Sequence, residues 1–148
     1  MISQTAEYAL RAIITMARNP EAAQVTQQIA DAAHIPAGYL SKVLQSLGRA
    51  GLVSSHRGLG GGFTLTKKPA EMTVYEIVQA VDPLQRVRTC PLKLEEHAHK
   101  LCPLHQRLDE AMAQVEKSFR ETTVAELLPM PGQTCACEHT PSPKTSRK

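Results

Sequence analysis

The sequence has few aromatic residues and no long apolar run. Five aromatic side chains make up only 3% of the 148 residues, which argues against the base-stacking surfaces of single-strand-binding proteins. No apolar stretch approaches the roughly 20 residues of a membrane-spanning helix, and the N-terminus lacks the basic-then-apolar order of a signal peptide. We therefore expect a cytoplasmic protein with no membrane partner, built as one ordinary domain or as one small domain with an attached element.

The charge is unevenly distributed along the chain. The total of +3 is modest, but residues 1–70 carry seven bases and three acids, a net charge of +4. Residues 71–132 carry seven bases and ten acids, and residues 133–148 three bases and one acid. A basic first half before an acidic second half indicates that the two halves have different functions, and that one of them binds an anionic partner.

Apolar periodicity predicts three helices in the basic half. The first spans residues 3–18, with Ser3 as its cap and Asn19-Pro20 as its stop. A short second helix starts at Thr26, a candidate N-cap residue. A third spans residues 36–50, with Pro36 as its first residue. Three consecutive helices of this kind are typical of a helix-turn-helix domain.

A short β-hairpin follows the third helix in the sequence. Residues 52–56 and 63–66 alternate as strands, and the glycine-rich residues 57–62 form the turn between them. The predicted fold class is therefore mainly α with a small β-hairpin, a winged helix-turn-helix domain over residues 1–82. The glycine run is no phosphate-binding loop, because no Lys-Ser/Thr follows it and it leads into a strand.

The acidic half contains two further predicted helices. The Thr73-x-x-Glu76 capping box opens the fourth, which Asp82-Pro83 ends. We expect a sensor or cofactor loop over residues 83–102, a dimerisation helix with a final short turn over 103–128, and a disordered tail over 129–148. The dimerisation helix carries one narrow apolar seam that a small domain cannot cover alone, which favours a homodimer; the seam consists of Leu104, Leu108, Met112, Val115 and Phe119.

The helix-turn-helix reading places a set of polar and basic side chains against DNA. The third helix would enter the major groove while the second crosses the backbone, and an extended Arg57 among glycines suits a narrow minor groove. The candidate DNA-binding residues are Thr26, Pro36, Ala37, Tyr39, Ser41, Lys42, Gln45, Arg57, Gly58 and Gly60.

Three segments of the sequence resemble a bacterial regulator family that includes IscR, NsrR, RirA and CymR. They are residues 5–11 (TAEYALR), residues 35–40 (IPAGYL) and residues 51–65 with the RGLGGGF turn. The resemblance covers about residues 1–130. It implies a homodimeric winged-helix transcription factor that binds a palindromic operator on double-stranded DNA, usually as a repressor. It also implies a long C-terminal helix that crosses its partner.

The same resemblance implies a cofactor. Many members of this family hold an iron–sulfur cluster in a Cys-x5-Cys-x5-Cys-x2-His frame, which here reads Cys90, Glu96, Cys102 and His105. The middle cysteine is absent, and two thiolates with other ligands favour a 2Fe–2S over a 4Fe–4S cluster. Glu7 occupies the position from which some relatives supply a ligand of the other subunit. The predicted metal ligands are therefore Cys90, Cys102, His105 and Glu7.

The sequence also allows other interpretations of the cysteines. A zinc site, a reversible dithiol or simple burial would also account for Cys90 and Cys102. Cys135-x-Cys137 in the tail has a poor spacing for structural zinc. A rival from another class is a thiol redox protein or metal carrier, although no Cys-x-x-Cys or nucleophile–base pair supports an enzyme.

Overall fold

The computed structural model describes residues 2–89 and 101–129. Cys90, Glu96 and the tail residues 130–148 lie outside the described residues. The helices and strands, in chain order, are α1 (Gln4–Ala17), α2 (Thr26–Ala33), α3 (Ala37–Arg49), β1 (Val53–His56), β2 (Gly62–Leu65), α4 (Val74–Val81) and α5 (Pro103–Glu121). Short 3₁₀ turns span Pro69–Glu71 and Ala125–Leu127. The mainly helical fold with one hairpin is thus confirmed.

The first three helices and α4 enclose the main core. Each turns a stripe of apolar residues inward at helical spacing, and burial of such stripes is the main source of their stability. Ile13 of α1, Ile29 of α2, Leu44 of α3 and Ile77 of α4 are all 0% exposed. Gly51 adopts a left-handed φ of +74° just after α3, as expected of a residue that follows a helix C-terminus.

The predicted start of α2 at Thr26 is correct, but its predicted N-cap and the predicted first residue of α3 are each wrong by one position. Thr26 is the first helical residue of α2 and Val25 is its N-cap, because the Gln28 side chain accepts a hydrogen bond from the Val25 N–H at 3.1 Å. Pro36 is the N-cap of α3 rather than its first residue; its carbonyl accepts from the N–H groups of Tyr39 and Leu40, both at 2.9 Å. The predicted Thr73–Glu76 capping box opens α4 as expected.

The hairpin is attached to the helical domain by a pair of backbone hydrogen bonds. Its strands are antiparallel, with Ser55 opposite Phe63. Phe63 also forms two backbone hydrogen bonds with Gln24, which lies just before α2. The Phe63 N–H donates to the Gln24 carbonyl at 2.8 Å, and the Gln24 N–H donates to the Phe63 carbonyl at 3.0 Å. Gly62 makes this approach possible, since a Cβ there would lie 2.7 Å from the Gln24 carbonyl carbon and oxygen. The hairpin is therefore a wing held along β2 rather than a free loop.

The chain returns to the domain after α5. Val124 is fully buried, and its N–H donates to the Met72 carbonyl at 2.8 Å, while Val74 N–H donates to Thr122 at 3.0 Å. Phe119 of α5 also packs against Ala6 and the apolar face of α4. The C-terminal end of α5 is thereby fixed to the helical domain. No helix in residues 2–89 and 101–129 is both long and apolar enough to cross a membrane.

Candidate nucleic-acid interface and metal centre

The turn between α2 and α3 is held by an arginine from α1. Arg11 donates through its guanidinium to the carbonyl of Ala33 and, at 3.0 Å, to that of His34. His34 itself adopts a left-handed φ of +52° at the end of α2. These contacts satisfy carbonyls that the helix end leaves unpaired and so fix the angle at which α3 leaves α2. Sequence reasoning missed this role, because the contact joins residues more than twenty positions apart.

The start of α3 is positioned by an aromatic contact with α1. The Tyr39 and Tyr8 rings meet edge to face, with centroids 5.3 Å apart, an arrangement that aromatic pairs favour. The Tyr39 hydroxyl lies 2.6 Å from the Thr5 hydroxyl. Tyr39 is nevertheless 38% exposed, so part of the residue remains accessible to a partner while these contacts fix its position.

The exposed face of α3 carries a basic and an amide side chain. Lys42 and Gln45 are exposed, and within the described residues Lys42 pairs with no carboxylate. Ser41 is exposed too, but its hydroxyl donates to the Ala37 carbonyl at 3.1 Å. Ala37 packs partly against the core, so it points less toward a partner than the sequence predicted. Thr26 is half-buried at the start of α2, and Pro36 is exposed.

The tip of the wing presents an arginine and a leucine between glycines. Arg57, Gly58 and Gly60 are all exposed, and the two glycines adopt φ of +96° and +73°, values that other residues rarely adopt. Leu59, which sequence reasoning did not single out, is 109% exposed. The tip therefore combines a cation with an apolar side chain that contacts nothing in the described chain.

Two of the predicted metal ligands lie close together at the start of α5. Cys102 is the N-cap of α5 and Pro103 its first residue, as the sequence predicted. The Cys102 Sγ lies 3.1 Å from the His105 Nδ1, which brings a soft and a nitrogen donor to one point. Glu7 is exposed on α1 and faces Arg11 at 3.8 Å. In the part of the chain that the structure describes, no three such donors converge.

An ionic cluster fixes the segment before the undescribed stretch to α5. Arg86 donates to both oxygens of Asp109, at 2.7 and 2.6 Å, and to Glu116 at 3.3 Å. The Arg86 hydrogen bonds lower the pKa of the Asp109 carboxyl, and those from Arg120 and Arg86 lower that of Glu116. Arg120 also stacks over the Tyr75 ring of α4 at 3.5 Å. This segment is therefore tied to α5 and, through it, to α4.

Comparison with known proteins identifies the type of molecule. A family model described as Rrf2, iron-dependent transcriptional regulator, matches residues 2–130. The chain belongs to the Rrf2 family of transcriptional regulators. It is similar to an HTH-type transcriptional regulator of Aquifex aeolicus, 31% identical over 131 residues, which are 86% of this chain and 91% of that protein. A second relative, an rrf2-like regulator of Rhodobacter capsulatus, is 32% identical over 82% of this chain and 80% of its own length.

Two solved structures of regulators share this fold. CymR of B. subtilis, described as its global cysteine regulator, aligns with a TM-score of 0.72 at 24% identity, over 86% of this chain and 95% of its own. IscR of T. potens aligns with a TM-score of 0.70 at 20% identity, over 86% of this chain and 85% of its own. The resemblance to this family is thus confirmed, and the chain is a DNA-binding winged-helix regulator, not an enzyme.

Proposed function

We propose that this Rrf2-family chain acts in the cytoplasm as a homodimeric repressor that binds a palindromic DNA operator. The observation that carries the proposal is that α3 and the anchored wing each expose a cation, Lys42 and Arg57, that pairs with no carboxylate in residues 2–89 and 101–129. Two copies related by a twofold axis would present two α3 helices to successive major grooves, about 34–36 Å apart.

The dimer is proposed to form through α5. Leu104, Leu108 and Val115 are 64%, 49% and 37% exposed along one side of this helix, whereas Met112 and Phe119 are covered more fully by the chain itself. Exposed apolar residues at helical spacing favour burial against a second copy of the same stripe.

The oligomeric state tests this surface directly. Leu108→Glu places a charge in the centre of the stripe, and we expect it to convert a dimer into a monomer in analytical ultracentrifugation. Lys117→Glu, on the same helix, is the matched control, since Lys117 is exposed and its ion pair among the described residues is with Glu121 at 3.8 Å. A wild-type monomer, or a Leu108→Glu dimer as tight as the wild type, would contradict the proposal.

We further propose that Cys102 and His105 hold a metal centre that controls DNA binding. Their separation of 3.1 Å fits two ligands of one metal ion, and the description of the matching family is iron-dependent. In the proposed ligand set, Cys90 of the same chain and Glu7 of a second copy join Cys102 and His105 to hold an iron–sulfur cluster of the 2Fe–2S type. When bound, such a group supplies sensitivity to redox state, nitric oxide or iron supply.

The chain's own residues supply the link to DNA binding. Cys102 caps α5, and α5 is fixed to α4 by Phe119 and to residue 86 by the ionic cluster. A change of ligand at Cys102 would therefore act directly on α5, the helix that in the proposed dimer sets the distance between the two α3 helices. The metal centre regulates DNA binding only if the dimer adopts two geometries and binds the centre more tightly in one of them.

Anaerobic purification tests the cofactor. We expect a brown protein with visible absorption bands and bound iron, lost in Cys102→Ser and retained in Cys135→Ser. A colourless protein with stoichiometric zinc, or a metal-free protein whose Cys90 and Cys102 form a disulfide on oxidation, would refute the cluster and favour the corresponding alternative. The B. subtilis relative described as a cysteine regulator makes the thiol alternative the second candidate.

A further inference from the structure

A cleft lies along the edge of β2 that faces away from β1. It has a volume of about 320 Å3 and is lined by two stretches of the chain, residues 20–21 and 64–69. The pairing of Gln24 with Phe63 covers the neighbouring part of this edge. The cleft is therefore the uncovered continuation of a sheet edge.

Leu65 presents an unpaired peptide group in this cleft. The backbone groups of successive strand residues point alternately to the two edges. Thr66 N–H donates to the Leu52 carbonyl on the β1 side at 3.1 Å, whereas Phe63 exchanges its two hydrogen bonds with Gln24 on the other side. Leu65 lies two residues after Phe63, so its N–H and carbonyl point to that other side, where they have no protein partner among residues 2–89 and 101–129. Because Leu65 is half-buried, this donor and acceptor favour pairing with an added extended chain.

The tail of the chain starts beside this cleft. The 3₁₀ turn Ala125–Leu127 lies against the turn Pro69–Glu71, and Pro69 lines the cleft. Leu128 packs against the main core, which fixes the point from which the tail leaves. Residues 129–132 span up to about 13 Å when extended, so the residues after them start within a short link of the cleft.

One part of the tail has the composition of a strand that can pair. Prolines stand at positions 129, 131, 141 and 143 and a glycine at 132, whereas residues 133–140 (QTCACEHT) contain neither. Each residue of this segment therefore keeps its N–H donor. The segment also holds the single acid of the tail, Glu138. Its charge complements that of Lys68, which is exposed at the cleft and pairs with no carboxylate in the described part of the chain.

We propose that residues 133–140 add as a short strand to this edge of β2 in the same chain and pair with the N–H and carbonyl of Leu65. Main-chain pairing at an exposed sheet edge is a common mode of peptide recognition, and the covalent link raises the effective concentration of the segment to the order of millimolar. The contact covers an edge that would otherwise be open to association with other chains. It depends on neither the proposed DNA surface nor the proposed metal centre.

Hydrogen exchange of single amides, measured by NMR, tests this contact. Removal of residues 133–148 should make the Leu65 amide exchange about 30-fold faster than in the full chain, the factor that two backbone hydrogen bonds give at their usual contribution. The Phe63 amide is the matched control. It donates to Gln24 rather than to the tail, so it should exchange at the same slow rate in both proteins.

A pair of double substitutions in the full chain gives a second measurement. Neighbouring N–H groups of a strand point to opposite edges, so Cys135→Pro combined with Ala136→Pro removes whichever of the two faces β2. This variant should release the Leu65 amide as truncation does. Thr145→Pro combined with Ser146→Pro lies outside the pairing segment and should leave the exchange of Leu65 unchanged.

Equal exchange rates of Leu65 in the full and the truncated chain would overturn the inference. Fast rates in both would show that the edge is open, and slow rates in both would show that something other than the tail covers it. These results are separate from the test of DNA binding, because Lys42 and Arg57 are unchanged in every variant used here.

Discussion

The attachment of the wing depends on Gly62, and its substitution by alanine should destabilise the protein. Gly62 has a φ of +147°, and an added Cβ would lie 2.7 Å from the carbonyl carbon and oxygen of Gln24. Backbone atoms cannot rotate away as a flexible side chain would, so the steric clash with the new Cβ is removed only if Gln24 and Phe63 move apart.

The cost can be worked from the contacts that separate. Two backbone hydrogen bonds, of 2.8 and 3.0 Å, join Gln24 and Phe63, and each contributes about 1 kcal/mol. The unfavourable φ of an alanine adds about 1–3 kcal/mol. We expect Gly62→Ala to lower the free energy of unfolding by about 3–5 kcal/mol.

Urea unfolding followed by circular dichroism measures this change. Gly60→Ala is the matched control: Gly60 also has a positive φ, of +73°, but nothing lies within 4 Å of its added Cβ. It should therefore show only the conformational cost, about 1 kcal/mol. Equal effects of Gly60→Ala and Gly62→Ala, or a loss below about 1 kcal/mol for Gly62→Ala, would refute the account of the wing's attachment.

Two further predictions concern the α5 cluster and the wing tip. Hydrogen bonds from Arg86 lower the pKa of Asp109 in the folded protein. The ionised Asp109 carboxylate therefore stabilises the fold above the pKa it has in the unfolded chain, and this stabilisation is lost as the pH falls through its pKa in the folded protein. Urea melts between pH 6 and pH 3 should show a smaller acid-induced loss in Arg86→Gln than in the wild type; parallel losses would count against the cluster. Leu59→Ser should leave the melting temperature unchanged, because the Leu59 side chain is 109% exposed. The same substitution should weaken duplex binding if the wing tip packs an apolar side chain in the minor groove. An unaltered duplex affinity would show that Leu59 does not contact the DNA.

The order of elements could be predicted from the sequence because local signals specify it. Apolar spacing marks the helices, the Thr73–Glu76 box marks the start of α4, and Cys102-Pro103 marks that of α5. Two assignments at helix starts were wrong by one position: Val25, not Thr26, is the N-cap of α2, and Pro36 is the N-cap of α3 rather than its first residue.

Contacts between distant segments could not be predicted in this way. The Gln24–Phe63 pairing, the Arg11 contacts with the α2 end and the packing of Phe119 on α4 all join residues with no local pattern in common. Phe119 was therefore assigned to the dimer seam although it packs within the chain. The Cys102–His105 contact was predictable, because residues three apart meet on one helix face.

The central claim is that α3 and the wing bind DNA through Lys42 and Arg57, and the salt dependence of duplex affinity tests it most directly. Each cation that neutralises a phosphate should contribute close to one unit to the slope of log affinity against log salt. We predict that Lys42→Ala and Arg57→Ala each reduce this slope by about 1 per subunit, while Lys117→Ala on α5 leaves it unchanged. Slopes equal to that of the wild type in both variants would contradict the account.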